Sequence, residues 1–394
     1  MLIAYACLAA YLMVTALKFA LSRHYLRQCP DVEVDDRLID VTVLQPIRSG
    51  DPLLQDTLSR SLSTAPRGAQ FWLLVDEDDP EAQRVCEVLR QRFADRVHLL
   101  HCPPPNQGQN PKAVKLDWAL PKVCSEFTAV LDDDTWLPHR NLNKAVARLA
   151  DCDLYTGLPC YFPGGSLWAS LVTHFVNNNS VMTYLALLPL AGPLTINGMF
   201  YVARTDTLRR LGGWGPTSHH LCDDLAIASA FHERGLRIHQ GVTTQYLNTT
   251  VRSAAHYFSL MHRWYVFADI LVRRQTARNK ALIISLLGFP PLLLLIGLLT
   301  VMGGPIAACC LLVALVTRHL LIHHLLWRVT DATPPVSWGF SLVAELIQPV
   351  HWCHARLSRK ITWRQRPVLA HRDGRFAYLE SSRTRGGTET SSCL

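Results

Sequence analysis

The chain has 394 residues, 49% of them hydrophobic, and a formal net charge of +8 at pH 7. That length exceeds one small domain and allows a substantial core. The basic residues cluster beside apolar segments and no nucleic-acid motif accompanies them, which excludes nucleic acid as the expected partner and points to a bilayer.

Leu2–Leu21 is an apolar run with only Lys18 inside it. No basic residue precedes it and no small-residue cleavage pattern follows, so residues 1–22 read as a transmembrane anchor rather than a removable signal. After a polar linker, Val41–Ile47 reads as a buried strand, and Asp51-Pro52 opens a helix to about Ser63. Gln70–Val75 is a second strand ending at Asp76, followed by a helix from Asp79-Pro80 to about Phe93. Arg96–His101 is a third strand, and a Pro- and Gly-rich loop leads into a short helix over Lys112–Leu120.

Phe127–Asp132 is the fourth strand, and it breaks into Asp132-Asp133-Asp134. Three acids cannot be buried unpaired, because each desolvated charge costs several kcal/mol. They are expected at the sheet edge, with Asp132 and Asp134 on one side and Asp133 on the other. Two carboxylates on one side suit a hard divalent ion (Mn2+ or Mg2+) shared with substrate phosphates. Alternating strands and helices imply an α/β fold with a mostly parallel sheet flanked by helices, in which ligands bind beyond the strands' carboxyl ends. Asp76 and Asp132 both occupy such ends.

Asp153–Gly157 is a fifth strand, and Leu167–Leu190 is long and apolar but interrupted by Asn177-Asn178-Asn179, which suits a membrane-apposed helix or an acceptor-pocket wall. Asn197–Ala203 is a strand, and Asp206–Leu211 a short helix. Asp223-Asp224 opens a helix that Gly235 ends, with Asp223 suited to capping. Leu236–Leu247 returns as a strand, and Arg252–Val272 is a helix carrying His262-Arg263-Trp264.

Residues 281–317 hold no charged side chain and divide at Gly303-Gly304-Pro305 into two spans. The second carries Arg318, His319, His323 and His324 near its end, where interfacial placement is favoured over a metal site. Val336–Trp352 is expected to be re-entrant or interfacial. The Cys, twelve in all, show no ligand spacing and are expected as reduced thiols. The expected organisation is therefore a multi-pass integral membrane protein. It has a cytoplasmic domain over 40–272, membrane segments over 281–355, and a basic tail over 356–394 that is disordered from Glu380. Basic flanks such as Arg273, Arg274, Arg278 and Lys280 put that domain on the cytoplasmic side. That means the inner membrane in a bacterium, or the Golgi or ER in a eukaryote.

In order and spacing the chain resembles the ceramide glucosyltransferase family of membrane enzymes with a GT-A nucleotide-sugar domain. The resemblance rests on V-T-V-L-Q-P-I-R-S-G-D-P-L-L (41–54), D-E-D-D-P (76–80), N-P-K (110–112) and the triple Asp. It continues through T-G-L-P (156–159), N-G-M-F (197–200), D-D-L-A (223–226), H-R-W (262–264) and I-T-W-R (361–364). The resemblance implies that Asp76 contacts uridine, that Asp132 and Asp134 hold a metal-bridged pyrophosphate, and that Asp224 is the acceptor-activating base. Arg263 and Trp264 match the end of the family's (Q/R)-x-x-R-W motif, but Leu260 stands where Gln or Arg is expected.

The chemistry asks for the same parts. Charge builds on a departing diphosphate, which a divalent ion and a cation such as Arg263 stabilise. An acceptor hydroxyl needs a base, for which Asp223-Asp224 is the best pair, and one carboxylate base without a partner nucleophile favours inversion. Lys112 reaches the diphosphate from its helix start or stays solvated, and Trp264 packs on sugar or base or anchors at the interface. The expected partners are a UDP-sugar donor, a lipid acceptor and the bilayer. A hopanoid or polyprenyl-phosphate transferase and a processive polysaccharide synthase are the nearest alternatives, and a membrane scaffold or transporter is the non-enzymatic one.

Overall fold

The computed structural model describes residues 1–29, 38–333, 335–363 and 366–379. An apolar helix, α1 (Leu2–Gln28), precedes alternating elements: β1 (Val41–Pro46), α2 (Leu54–Ser63), β2 (Gln70–Asp76), α3 (Pro80–Arg92), β3 (Val97–Cys102) and α4 (Pro111–Ala119). Then come β4 (Phe127–Leu131), β5 (Thr135–Trp136), α5 (His139–Arg148), β6 (Leu154–Pro163), α6 (Leu167–Asn179) and α7 (Leu185–Ala191). They are followed by β7 (Phe200–Arg204), α8 (Thr205–Arg210), α9 (Asp223–Glu233), β8 (Ile238–Thr249) and α10 (Ala254–Arg274). The remaining helices are α11 (Ala277–Ile283), α12 (Phe289–Gly297), α13 (Pro305–Val329), α14 (Trp338–Leu346) and α15 (Gln348–Leu357), before β9 (Lys360–Trp363), β10 (Arg366–Ala370) and β11 (Phe376–Tyr378).

The main sheet has the order β3-β2-β1-β4-β7-β6-β8-β5. β3, β2, β1 and β4 run parallel, as the βα alternation requires, and bury Val43, Leu73, Val75 and Ala129 against the helices on one face. β7 and β5 are antiparallel to their neighbours, so the sheet is mixed beyond β4. β6 is longer than the sequence pattern shows, because Leu158–Pro163 continues in register with β8 past an irregularity at Gly157. The two prolines in it donate no hydrogen bond and disguise the strand.

Three helices are long and apolar enough to cross a membrane: Leu2–Gln28, Ala277–Gly303 and Pro305–Val329. The division at Gly304 follows from its φ of 97°, a left-handed conformation that only Gly adopts cheaply, ahead of Pro305 at a helix start. α14 and α15 are each too short to span, and α14 packs beside α6 and α12. Arg318 in the third long helix donates to Glu345 of α14 from Nε at 2.7 Å, and the Tyr11 hydroxyl of α1 donates to the same carboxylate at 3.1 Å. An intramembrane charge is tolerated there because its counter-ion comes with it.

The three asparagines do not break their helix. α6 runs through a π turn, Ser180–Tyr184, into α7. The Asn177 amide accepts from Tyr161 N at 2.8 Å and donates to Tyr161 O at 3.0 Å, standing in for a strand partner beside β6. Asn178 donates to the Ser341 hydroxyl of α14 at 2.9 Å. The Ser22 hydroxyl of α1 donates to Val181 O of the π turn at 2.6 Å, and the Tyr25 hydroxyl to Gln240 O of β8 at 2.6 Å, so the first apolar helix is fastened to the sheet domain.

The stretch expected as a basic tail, 356–394, is instead structured over much of its length: it completes α15 and then forms the sheet β11-β10-β9. Ile361, Val368, Ala370 and Phe376 pack against Tyr257, Met261 and Tyr265 of α10. The interleaved Arg and Lys hide this alternation from a charge count. The expectation of disorder from Glu380, Arg364 of the I-T-W-R run, and most of the polar linker lie outside the described residues. Asp269 of α10, 1% exposed, fastens the join, pairing with Arg273 at 2.6 Å, Arg356 at 2.9 Å and also Arg359. Breaking a buried charge cluster from one side costs about 3–5 kcal/mol. Asp269→Ala is therefore expected to lower the apparent melting temperature of the detergent-solubilised chain and to open the 356–379 segment to protease. A wild-type melt and digest would show the cluster to be dispensable.

Candidate active site

β2, β1 and β4 are parallel neighbours, so their carboxyl ends share one edge of the sheet, and there Asp76 closes β2 while Asp132 follows β4. Asp76 is buried. One of its oxygens, Oδ2, receives Lys115 Nζ at 2.8 Å and Arg48 at 3.1 Å, while the other, Oδ1, is buried without a hydrogen bond. Asp133 accepts the backbone N–H of Arg48 at 2.7 Å. Arg48 therefore ties the loop after β1 to both acidic strand ends.

Helix α4 starts where Asn110 accepts Lys112 N at 3.0 Å and Pro111 takes the first helical position. This puts the Lys112 ammonium on a helix N-terminus, where the helix dipole disfavours it. Carboxylates overcome that disadvantage: Lys112 Nζ meets Asp132 Oδ1 at 2.7 Å and Asp223 Oδ2 at 3.2 Å, the latter too far out of line for a hydrogen bond, and it donates to Gly198 O at 2.8 Å. Burial works against the charge on Lys112, but Asp132 and Asp223 more than offset it and hold its pKa well above the usual range.

Asp223 and Asp224 are the first two residues of α9, and Cys222, not Asp223, occupies the capping position, so the expectation of Asp223 as the cap is corrected. The reason is local: Asp223 faces Lys112 rather than its own helix's N–H groups. Asp224 accepts the adjacent Leu225 N–H at 2.7 Å. Burial, then Asp223, push its carboxyl up to about 7, against the pull of Leu225 and Lys112. Gly198 lies against it. A Cβ there would stand 3.1 Å from Asp224 Cβ, so a larger residue in the N-G-M-F run would push this side chain by a few tenths of an ångström. The Tyr184 hydroxyl at the end of the π turn feels the charge of Asp224.

Asp134 is half-buried and accepts the Thr135 hydroxyl at 3.0 Å. Burial, followed by Asp132 and Asp133, pushes its carboxyl up to about 8. Among the described residues no three His, Cys, Asp or Glu side chains form a ready-made metal cage. A divalent ion shared with substrate phosphates needs only one or two carboxylates, and its charge would relieve the repulsion that raises Asp134.

One tyrosine marks where the parts converge. Burial raises the Tyr161 phenol, the charges of Asp134 and Asp132 raise it further, and Arg263 pulls it down. Trp264 stands edge-on to Tyr161 at 6.4 Å and stacks on Phe175 of α6 at 6.2 Å, so it belongs to an aromatic wall beside the cleft. Asp132, Lys112, Asp223 and Asp224 thus form one network, the charges of Asp134 and Arg263 both act on the Tyr161 phenol, and Asp76 occupies a strand end on the same sheet edge, across β1. Arg48, Lys115, Tyr161 and Tyr184 were not singled out from the sequence. Lys115 had a signal, since it follows Lys112 by three positions on a helix and shares its face.

The chain was compared with known proteins. The family model described as Glycosyl transferase family 21 matches residues 3–376. Among solved structures, the mannosyltransferase PcManGT from Pyrobaculum calidifontis, in complex with GDP-Man and Mn2+, is similar at 18% identity and a TM-score of 0.52, over 90% of this chain and 97% of that one. S. aureus TarS 1-349 in complex with UDP-GlcNAc matches at 11% identity and a TM-score of 0.38, over 87% of this chain and 99% of that one. The sheet with its flanking helices is similar to GT-A glycosyltransferases. With the family matched over nearly its whole length, the chain belongs to glycosyl transferase family 21.

Proposed function

We propose that this glycosyltransferase transfers a hexose from a UDP-sugar to a hydroxyl of a membrane lipid, with inversion, and that a ceramide-like lipid is its acceptor. The observation that carries this reading is Asp224, a half-buried carboxyl pushed up to about 7, close enough to the Lys112–Asp132 pair and to Tyr184 of the apolar helix run to feel or exert charge on each. A phosphate acceptor is already an anionic nucleophile and needs no base. A hydroxyl does, and a base works best with a pKa near the operating pH.

Each residue then has a task. Asp76 Oδ1, buried without a partner, accepts the imide N–H of uracil, and Lys115 and Arg48 hold the carboxylate in place. Lys112 and Arg263 face the diphosphate, whose growing negative charge they stabilise as it departs. Asp132 and Asp134 would hold a divalent cation, Mn2+ or Mg2+, which supplies Lewis-acid stabilisation of the leaving diphosphate when bound. Similarity in fold to an enzyme solved with GDP-Man and Mn2+ supports this choice. In the transfer itself, Asp224 takes the acceptor's proton, the acceptor oxygen bonds to the anomeric carbon, and the sugar–phosphate bond breaks to release UDP. Trp264, Tyr161 and Phe175 exclude water from one side of the cleft. The organisation that goes with this is an anchor over 1–22, a cytoplasmic catalytic domain over 40–272 and membrane segments over 281–355.

Asp224→Asn is expected to lower turnover at least ~100-fold while UDP with Mn2+ still raises the melting temperature. Wild-type turnover in that variant would remove the base. Because the basic form of Asp224 is the deprotonated one, the rate should rise with pH up to about 7 and flatten above it. A rate independent of pH from 5 to 9 would contradict the assignment. Product formation with a panel of labelled UDP-sugars should stop in EDTA and return with Mn2+ or Mg2+, whereas full activity in chelator would exclude the ion. Mass spectrometry of the labelled lipid identifies the acceptor, and a polyprenyl-phosphate product would overturn the hydroxyl reading.

A further inference from the structure

Beside the aromatic wall, on its other face, a small, partly open cavity lies between α1, α6, α12, α13 and α14. Lys18, Asn178, Asn179, Thr183, Arg318 and Glu345 supply polar groups to its lining, at a place bounded by all three helices long and apolar enough to cross a membrane. Polar groups inside a membrane are costly and mark function by default. Arg318 is satisfied there, by Glu345 at 2.7 Å and by the Ser341 hydroxyl at 2.9 Å. Lys18 is not. It is 8% exposed, and among the described residues its ammonium has neither a hydrogen bond nor an ion pair within contact distance. On the opposing wall, Glu345 Oε2 receives Arg318 and Tyr11, while no donor reaches Oε1 among the described residues.

We infer that this cavity receives the polar junction of the acceptor lipid, taken as a neutral group that offers an oxygen to Lys18 and an N–H or O–H to Glu345. The inference rests on the lipid-hydroxyl reading above. The two walls decide the chemistry. Lys18 offers a donor, and Glu345, its charge already met by Arg318, keeps Oε1 as an acceptor, so the pair matches a group that carries both an oxygen and an N–H or O–H. A neutral amide–hydroxyl or ester–hydroxyl junction satisfies both. Two lipid types carry it, N-acyl amino alcohols and diacylglycerols. The cavity also has access to the reaction: Phe175 lines it and stacks on Trp264, and Thr183 lines it one residue before Tyr184, whose hydroxyl feels Asp224. A lipid seated at Lys18 therefore lies on the side of α6 and its π turn that carries Phe175 and Thr183, next to the residues that meet Trp264 and Asp224.

The full chain in nanodiscs, given diazirine-bearing ceramide, diacylglycerol or polyprenyl phosphate, tests this by mapping labelled peptides. One of the two neutral probes is expected to label the stretches around Lys18 and around 175–183, and which one does so identifies the source. Lys18→Met should reduce that labelling at least five-fold and raise the acceptor KM by a similar factor, with stabilisation by UDP and Mn2+ unchanged as the check on folding. Lys18→Arg should restore the labelling. Ala344→Phe, which fills the cavity from a different wall, should block it. Equal labelling of wild type and Lys18→Met, preferred labelling by polyprenyl phosphate, or labelling confined to other segments would overturn the inference. The expected labelling without any sugar-bearing lipid product would instead overturn the transferase reading and leave the cavity as a lipid site.

Discussion

Lys112 is where the molecule has to agree with itself. It sits at a helix start that disfavours a positive charge, in a place that disfavours any charge, and it persists because Asp132 from β4 and Asp223 from α9 converge on it. Acids collected at one sheet edge would repel without it. The cation in turn would be neutralised by burial without the acids. Separate stretches of chain are thus held at one point by mutual need, and Gly198, whose carbonyl takes another of the ammonium's hydrogens, brings the strand β7 entry into the same contact. Removing one partner would leave the others as uncompensated charge, which explains why the arrangement is rigid rather than merely attractive.

The part of this that the sequence made legible is the part written in short-range pattern. Apolar runs bounded by Asp76 and Asp132 reveal strands and their carboxyl ends, and charge-free stretches reveal membrane-crossing helices. The mixed direction of the sheet was not legible, because β6 and β7 pair antiparallel through residues more than forty apart, and no local signal states the direction of a strand. Nor was the C-terminal sheet, since the apolar alternation of Ile361, Val368 and Phe376 is diluted by Arg and Lys. Arg48 escaped notice for a different reason. A lone arginine after a strand has no distinguishing context until Asp76 and Asp133 are seen on either side of it.

Asparagines that look like interruptions in an apolar helix turn out to be its fastenings. Asn177 hydrogen-bonds β6, Asn178 reaches α14, and the π turn that follows leaves Val181 O to the hydroxyl of Ser22. Amides serve here because a helix lying between a sheet and a membrane bundle must answer polar backbone on one side and apolar packing on the other. The same helix divides the aromatic wall of the cleft from the polar cavity behind it.

The strands at the end of the chain touch the loop that introduces α9: Leu221 N bonds Gly374 O at 2.9 Å, and His220 pairs with Arg375. His220 O in turn receives the Asn110 side chain that starts the Lys112 helix. Residues 374 and 375 thus brace the acidic centre, although the apolar helices and most of the sequence precede them. During synthesis the donor-side groups can be made, and even folded, long before this brace exists. The acidic centre therefore gains these contacts only after residues 371–376 have been made, later than any of the strands that carry its carboxylates.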